Sequence, residues 1–302
     1  MNFNNSDSWV ILSSLEQTIK QKIEKIGKPL KNWNITINYG IKTGFNDAFI
    51  ISSETRKEIL SKCANEDERK RTDAIIRPIL RGRDIQRYNY EWAELYIIAT
   101  LPSRHYDIED YPSIKNYLLS FGMERLEQTG ETHIINKEKI KSRKKTNNKW
   151  FETQDSISYW DDFDKPKIIY PETTVGRSQF YYDDSKFMLD KTCFFISGEK
   201  LKFLEGMLTS KIIEWYLERM CRLLGKRTIQ YSKQWIEDIP IASPNEKQEK
   251  DVVEIVDEIT DNIKNDSAES QQKINLLIKK LNAKIGEIYN LNEQELDFIG
   301  VR

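Results

Sequence analysis

The chain has 302 residues, with 47 Lys+Arg against 48 Asp+Glu, only 2 His and 3 Cys, and 7 Trp, 14 Tyr and 12 Phe. That length suits one or two domains with a sizeable core, while two histidines (His105, His133) and three scattered cysteines (Cys63, Cys193, Cys221), none in a C-x-x-C pair, argue against a His-rich metal centre or structural zinc. The net charge of −1 points away from nucleic acid only as an average: residues 243–302 carry 13 acids and 8 bases, a net of −5, which leaves +4 on residues 1–242.

In chain order, Trp9 to Ile26 predicts an amphipathic helix. Leu12, Leu15, Ile19, Ile23 and Ile26 recur at spacings of 3 and 4, and Gly27-Lys-Pro29 stops it. It is either a connector from a neighbouring domain or the first helix of this one. Ile35 to Ile37 and Ala48 to Ile51 read as strands, with Gly40 and Gly44 in the turn between them. A helix follows from Ser53 to about Asn65, with Ser53 as N-cap, then a short helix or turn over 75–87 and a strand over Leu95–Ala99. Ile108 to Leu126 reads as helical, and Glu127 to Asn148 as a long polar loop. Strands resume at 167–170, 178–182 and 192–196; Gly198 to Leu223 predicts one helix ended by Gly225. Ser243-Pro244-Asn-Glu246 spells a capping box that opens a long helical tail. The expected division is a connector helix over 1–32, a recognition domain over 33–242 and a helical arm over 243–302.

Several chemistries leave no trace. Neither G-x-x-x-x-G-K-[ST] nor G-x-G-x-x-G occurs, and there is no G-x-S-x-G elbow. The Asn/Asp-Pro-Pro-aromatic motif of amino-methyltransferases is absent too. Glu68-Arg-Lys70 is half of a magnesium-nuclease pattern without its upstream Pro-Asp; it is the enzyme alternative. Glu109-Asp110 and Asp161-Asp162 read as solvated or helix N-terminal acids. No catalytic residue is assigned. With no apolar run near the ~18 residues of a membrane span and no signal peptide, a cytoplasmic setting is expected.

Four basic or Gly-bearing segments carry a binding signal. Tyr39–Asn46 sets Lys42 and Thr43 between two glycines, which would let backbone N–H groups approach an anion; taken alone, an ordinary hairpin is the stronger reading. Arg77–Asp84 places Arg81 and Arg83 around Gly82, where guanidinium forks suit phosphate or the O6/N7 edge of guanine, or a structural pair with Asp84. Lys137–Lys149 holds 7 bases and 1 acid, either a solvated loop or a backbone clamp. Leu224–Lys233 combines Lys226, Arg227 and Lys233 with Gln230 and Tyr231, cations that also suit the end of a helix.

The order of these segments resembles a known module. Gly27-Lys-Pro-Leu-Lys-Asn-Trp33, Ile37-Asn-Tyr-Gly-Ile-Lys-Thr-Gly-Phe-Asn-Asp-Ala-Phe-Ile-Ile51 and Ile76-Arg-Pro-Ile-Leu-Arg-Gly-Arg-Asp-Ile-Gln-Arg-Tyr88 are similar to the TaqI-like C-terminal specificity domain of adenine-specific DNA methyltransferases and type IIG restriction-modification enzymes. Lys149–Gln154, Lys165–Pro171, Leu189–Ile196 and Leu204–Lys211 continue the likeness, which spans roughly residues 9–242. It implies an α+β, mixed-sheet target-recognition domain that reads double-stranded DNA beside a methyltransferase domain or subunit. S-adenosylmethionine, with magnesium where a nuclease is present, would then sit in that other region and no cofactor in this chain. The expected DNA-contacting set is Lys42, Thr43, Asn46, Arg81, Arg83, Lys145, Arg177, Gln179, Lys226, Arg227, Gln230, Tyr231 and Lys233. Within it Arg81, Arg83, Gln179 and Gln230 are the base readers, and Lys42, Lys226, Arg227 and Lys233 the backbone contacts.

Overall fold

The computed structural model describes residues 12–223, 228–265 and 267–301. Its centre is a four-stranded antiparallel sheet in the order Tyr181–Asp183, Lys167–Pro171, Cys193–Gly198, Ile35–Tyr39. The sheet is covered on both faces, which explains the unbroken apolar run at 168–170. Ile168 and Tyr170 face one core with Ile37 and Ile196, while Ile169 faces a second core with Tyr181, Cys193 and Phe195.

Behind that second core lies a mixed sheet in the order Met188–Leu189, Ile76–Leu80, Leu95–Ile98, Ile50–Ser52, with 188–189 parallel to 76–80 and the other pairs antiparallel. Its far face, through Ile51, Ile76 and Ile98, packs on the helices Ser53–Ser61 and Pro112–Leu119. The chain is thus α+β with mixed sheets, as its sequence predicts.

The first core gathers the helices. Ser14–Ile26 starts with a capping box in which Ser13 and Glu16 bond reciprocally, and it buries Ile19 and Ile23; residues 9–11, its expected beginning, lie outside the described residues. Glu246–Asn265 and Ala268–Ile288 bring Val252, Val256, Ile259, Leu277, Leu281 and Ile285 to the same core. Lys22 pairs with Glu295 at 2.7 Å, so the first and last helices are tied as well. Among the described residues no helix is long and apolar enough to cross a membrane.

Several expectations change. The strand Ile35–Tyr39 does not form a hairpin with Ile50–Ser52; the two lie in different sheets, and Asn46–Phe49 is a helical turn. Residues 76–80 are a strand. The polar stretch after Leu126 is no open loop: Thr132–Ile135 and Glu138–Lys141 form a hairpin around Asn136 and Lys137, both at positive φ (51° and 71°), as a two-residue turn of matching twist requires. The single helix expected over 198–223 is two, Leu201–Leu208 and Lys211–Met220, because the Ser210 hydroxyl accepts the Ile213 N–H and caps a new start at Lys211. The cap of the tail moves two residues on: Asn245 and Gln248, not Ser243 and Glu246, exchange the bonds, at 2.8 and 3.0 Å.

Candidate nucleic-acid interface

One turn, Leu189 to Cys193, gathers segments that are far apart in sequence. On one side Gly40 N donates to Cys193 O at 2.9 Å and Ile41 N to Leu189 O at 2.7 Å. On another, Asp190 N donates to Leu80 O at 3.0 Å and Gly82 N to Thr192 Oγ1 at 2.7 Å. On a third, Glu172 N donates to Thr192 O at 2.8 Å. The turn is locked internally by Asp190 Oδ1, which accepts from both the backbone N–H (2.9 Å) and the hydroxyl of Thr192.

This geometry gives the glycines a different task from the one expected. A Cβ on Gly40 would lie 1.9 Å from the Asp190 carbonyl oxygen, and one on Gly82 2.8 Å from Thr192 O. Both N–H groups are already bonded within the protein. The glycines admit close chain crossing; they do not present free donors to an anion.

Around the turn, Arg81, Arg83 and Gln179 line one cleft of about 410 Å³ with Thr173, Val175 and Asp190. Its wall is a small antiparallel sheet in which Thr173–Val175 pairs with Thr228–Gln230, Thr173 opposite Gln230 and Val175 opposite Thr228. Alternation sends Thr174, Ile229 and Tyr231 inward, leaving Thr173, Val175, Thr228 and Gln230 on the outer face. Val175 is 73 % exposed, Arg177 is exposed beside it, and Gly176 at φ +85° turns the chain there.

The two arginines differ. Arg81 is held by Asp84 through Nε to Oδ2 at 2.9 Å and Nη2 to Oδ1 at 2.7 Å, and this hydrogen bonding raises its pKa further. Arg83 is exposed and forms no ion pair with any of the described residues. Asp190 is 5 % exposed, and burial raises its carboxyl above the usual range, against the hydrogen bonds from Thr192. Gln230 lies over Glu172 at 3.4 Å.

The remaining expected residues are dispersed. Tyr231 is fully buried, its ring stacked 6.0 Å from Phe180, so it belongs to the core. Thr43 is buried too, its hydroxyl bonded to Asn46 Oδ1 at 2.6 Å, and this pair shapes its own turn, with Asn46 exposed. Lys42 is exposed beside Asp155 at 3.3 Å, 5.2 Å from the Tyr39 ring centroid. Lys145 is exposed, and Lys233 is exposed and pairs with Glu237 at 3.4 Å. Lys226 and Arg227 lie outside the described residues.

Sequence reasoning passes over Asp190 and Thr192, whose Asp-x-Thr spacing is the one local sign of the turn, and over Arg143, which the basic run conceals. Glu68, the expected magnesium-binding acid of the enzyme alternative, is 3 % exposed and both its oxygens accept backbone N–H groups, from Ala64 at 2.8 Å and Ser113 at 3.0 Å. Although burial opposes them, these bonds hold its pKa below the usual carboxylate value. Glu68 braces a helix start.

The fold is shared with two solved enzymes. The type IIL restriction-modification enzyme MmeI, determined in complex with DNA, superposes with a TM-score of 0.60 at 16 % identity over 90 % of this chain and 35 % of that one. The type IIG restriction endonuclease BpuSI gives 0.51 at 13 % identity, over 92 % of this chain and 34 % of that one. The chain therefore spans about a third of the length of either. A family model described as the TaqI-like C-terminal specificity domain matches residues 77–241, more than half of the sequence and the whole stretch from the Arg81–Asp84 turn past the small sheet of 173–175 and 228–230. The chain belongs to the TaqI-like C-terminal specificity domain family.

Proposed function

We propose that the chain is the target-recognition module of a restriction-modification system and reads a short double-stranded DNA sequence through the cleft of Arg83 and Gln179. The observation that carries this reading is the convergence of Arg83 and Gln179 in one cleft beside the turn, with Gln230 opposite Thr173 on its wall and Val175 and Arg177 exposed next to it. Side chains held on strands and tight turns are preorganised for base edges. Lys42 and Lys145 supply phosphate contacts farther out, and Arg81 supports Asp84 and the turn. The partner is a methyltransferase domain or subunit, which would hold S-adenosylmethionine, and magnesium where a nuclease accompanies it. MmeI, solved in complex with DNA, makes duplex DNA the natural first ligand to test.

Fluorescence anisotropy on a preferred duplex should show that Arg83→Ala and Gln179→Ala each cost about 1–3 kcal/mol and relax the preference at one position. Lys42→Ala and Lys145→Ala should instead weaken binding to all duplexes alike and reduce the salt slope by about 1 each. Equal loss on specific and random duplexes from Arg83→Ala would move that side chain to the backbone contacts.

A further inference from the structure

A second and larger cleft, about 660 Å³, shares no lining residue with the first and lies between the edge of the central sheet and the first helix of the arm. Tyr90, Tyr181 and Tyr182 line one side and Asp257, on Glu246–Asn265, the other, with Glu205 at the base. Tyr90 packs between Tyr181 and Phe187, each with ring centroids 5.1 Å away, which fixes its ring.

Glu205 is the unexplained group. It is 2 % exposed on the helix Leu201–Leu208; one oxygen accepts the Tyr182 N–H at 2.9 Å, and no ion pair neutralises the carboxyl among the described residues. The nearest cation, Lys202, is committed elsewhere: it bonds to Asp257 at 2.6 Å and lies 5.4 Å from the Tyr182 ring centroid. Burial pushes the Glu205 carboxyl up to about 8, so that at neutral pH it is mostly protonated and a cation in the cleft would draw it back to the charged form. Asp184 and Asp261 add further acids to the lining, and Lys264 alone adds another base.

We infer that this cleft binds an organic cation, an alkylammonium or guanidinium group, held by Glu205 and flanked by tyrosine rings. Excess carboxylate disfavours an anion and so separates this cleft from any phosphate contact. A metal ion does not fit, because no group of three or more His, Cys, Asp or Glu among the described residues is arranged to hold one. An organic cation donates a charge-assisted hydrogen bond to Glu205, which gives up its proton as the cation binds, and is attracted to the aromatic faces; the volume is that of a small-ligand site. It has two sources: a free polyamine, or an arginine or lysine side chain of a partner protein.

Isothermal titration of the full chain with spermidine, and separately with acetyl-Gly-Arg-Gly-amide, tests this. At least one is expected to bind at a single saturable site, spermidine alone indicating a free polyamine and the peptide alone a partner's side chain. Glu205→Gln, which keeps an acceptor for the Tyr182 N–H, should weaken that binding at least tenfold. Thr260→Arg, which places a tethered guanidinium on the cleft wall, should weaken it equally without touching Glu205. Absence of saturable binding by both probes, or binding left intact by a folded Glu205→Gln protein, overturns the inference.

Discussion

Replacing Asp183 by alanine is expected to destabilise the chain by about 3–5 kcal/mol, measured by equilibrium denaturation. Asp183 and Lys167 face each other across neighbouring antiparallel strands, both side chains fully buried. Lys167 Nζ lies 2.5 Å from Asp183 Oδ2 and 2.8 Å from Phe163 O, and Asp183 Oδ1 accepts Ser185 N at 2.9 Å. Burial already holds the Lys167 pKa below its usual value, with Asp183 opposing that fall. Removing the acid leaves a fully buried lysine without its carboxylate, whereas Lys167→Met with Asp183→Leu removes both charges together and should cost far less than the single change. A loss below about 1 kcal/mol from Asp183→Ala would mean that water reaches the pair.

Arg143→Ala is the second large effect, again about 3–5 kcal/mol, since hydrogen bonds to a charged donor are worth roughly 1.5–3 kcal/mol each and their acceptors are left buried. Arg143 is 4 % exposed and donates to Leu126 O at 2.8 Å, Thr43 O at 3.0 Å, Glu152 O at 2.7 Å and Trp150 O. It thereby ties the loop that carries Lys42 to two other stretches of chain. Burial lowers its pKa to about 10, which leaves it a cation at neutral pH. Arg143→Lys should recover only a minor part, because a single ammonium cannot span four carbonyls set around a planar fork. Denaturation midpoints for the two variants check this directly; recovery of full stability by lysine would contradict it.

These two residues show what a sequence reveals and what it hides. Strands with covered faces were legible at 35–37, 167–170 and 192–196, because burial imposes apolar side chains that polar solvent would not. Charge alone did not separate Arg143 from Lys145: two positions apart in one basic run, the first is a buried brace and the second is exposed. Gly40 read as a flexible turn residue, yet its need is the passing backbone of Asp190, some 150 residues on, a non-local demand that no local pattern records. The same holds for the hairpin Thr132–Lys141, whose exposed strands have no apolar alternation to announce them. Arg81, Arg83 and Gln179 were each nameable from the sequence. That they line a common cleft, and that Arg81 is bound to Asp84 while Arg83 is exposed, follows only from the fold around the turn at 189–193.

The most direct measurement is selection from a randomised duplex library by the full chain at a salt concentration that suppresses non-specific binding. Enrichment of one short motif, with the preference at single positions lost in Arg83→Ala and in Gln179→Ala and kept in Lys42→Ala, is the predicted result. A library that emerges without an enriched motif, or a motif that both cleft variants retain unchanged, would contradict the assignment of this face as a reader of DNA sequence.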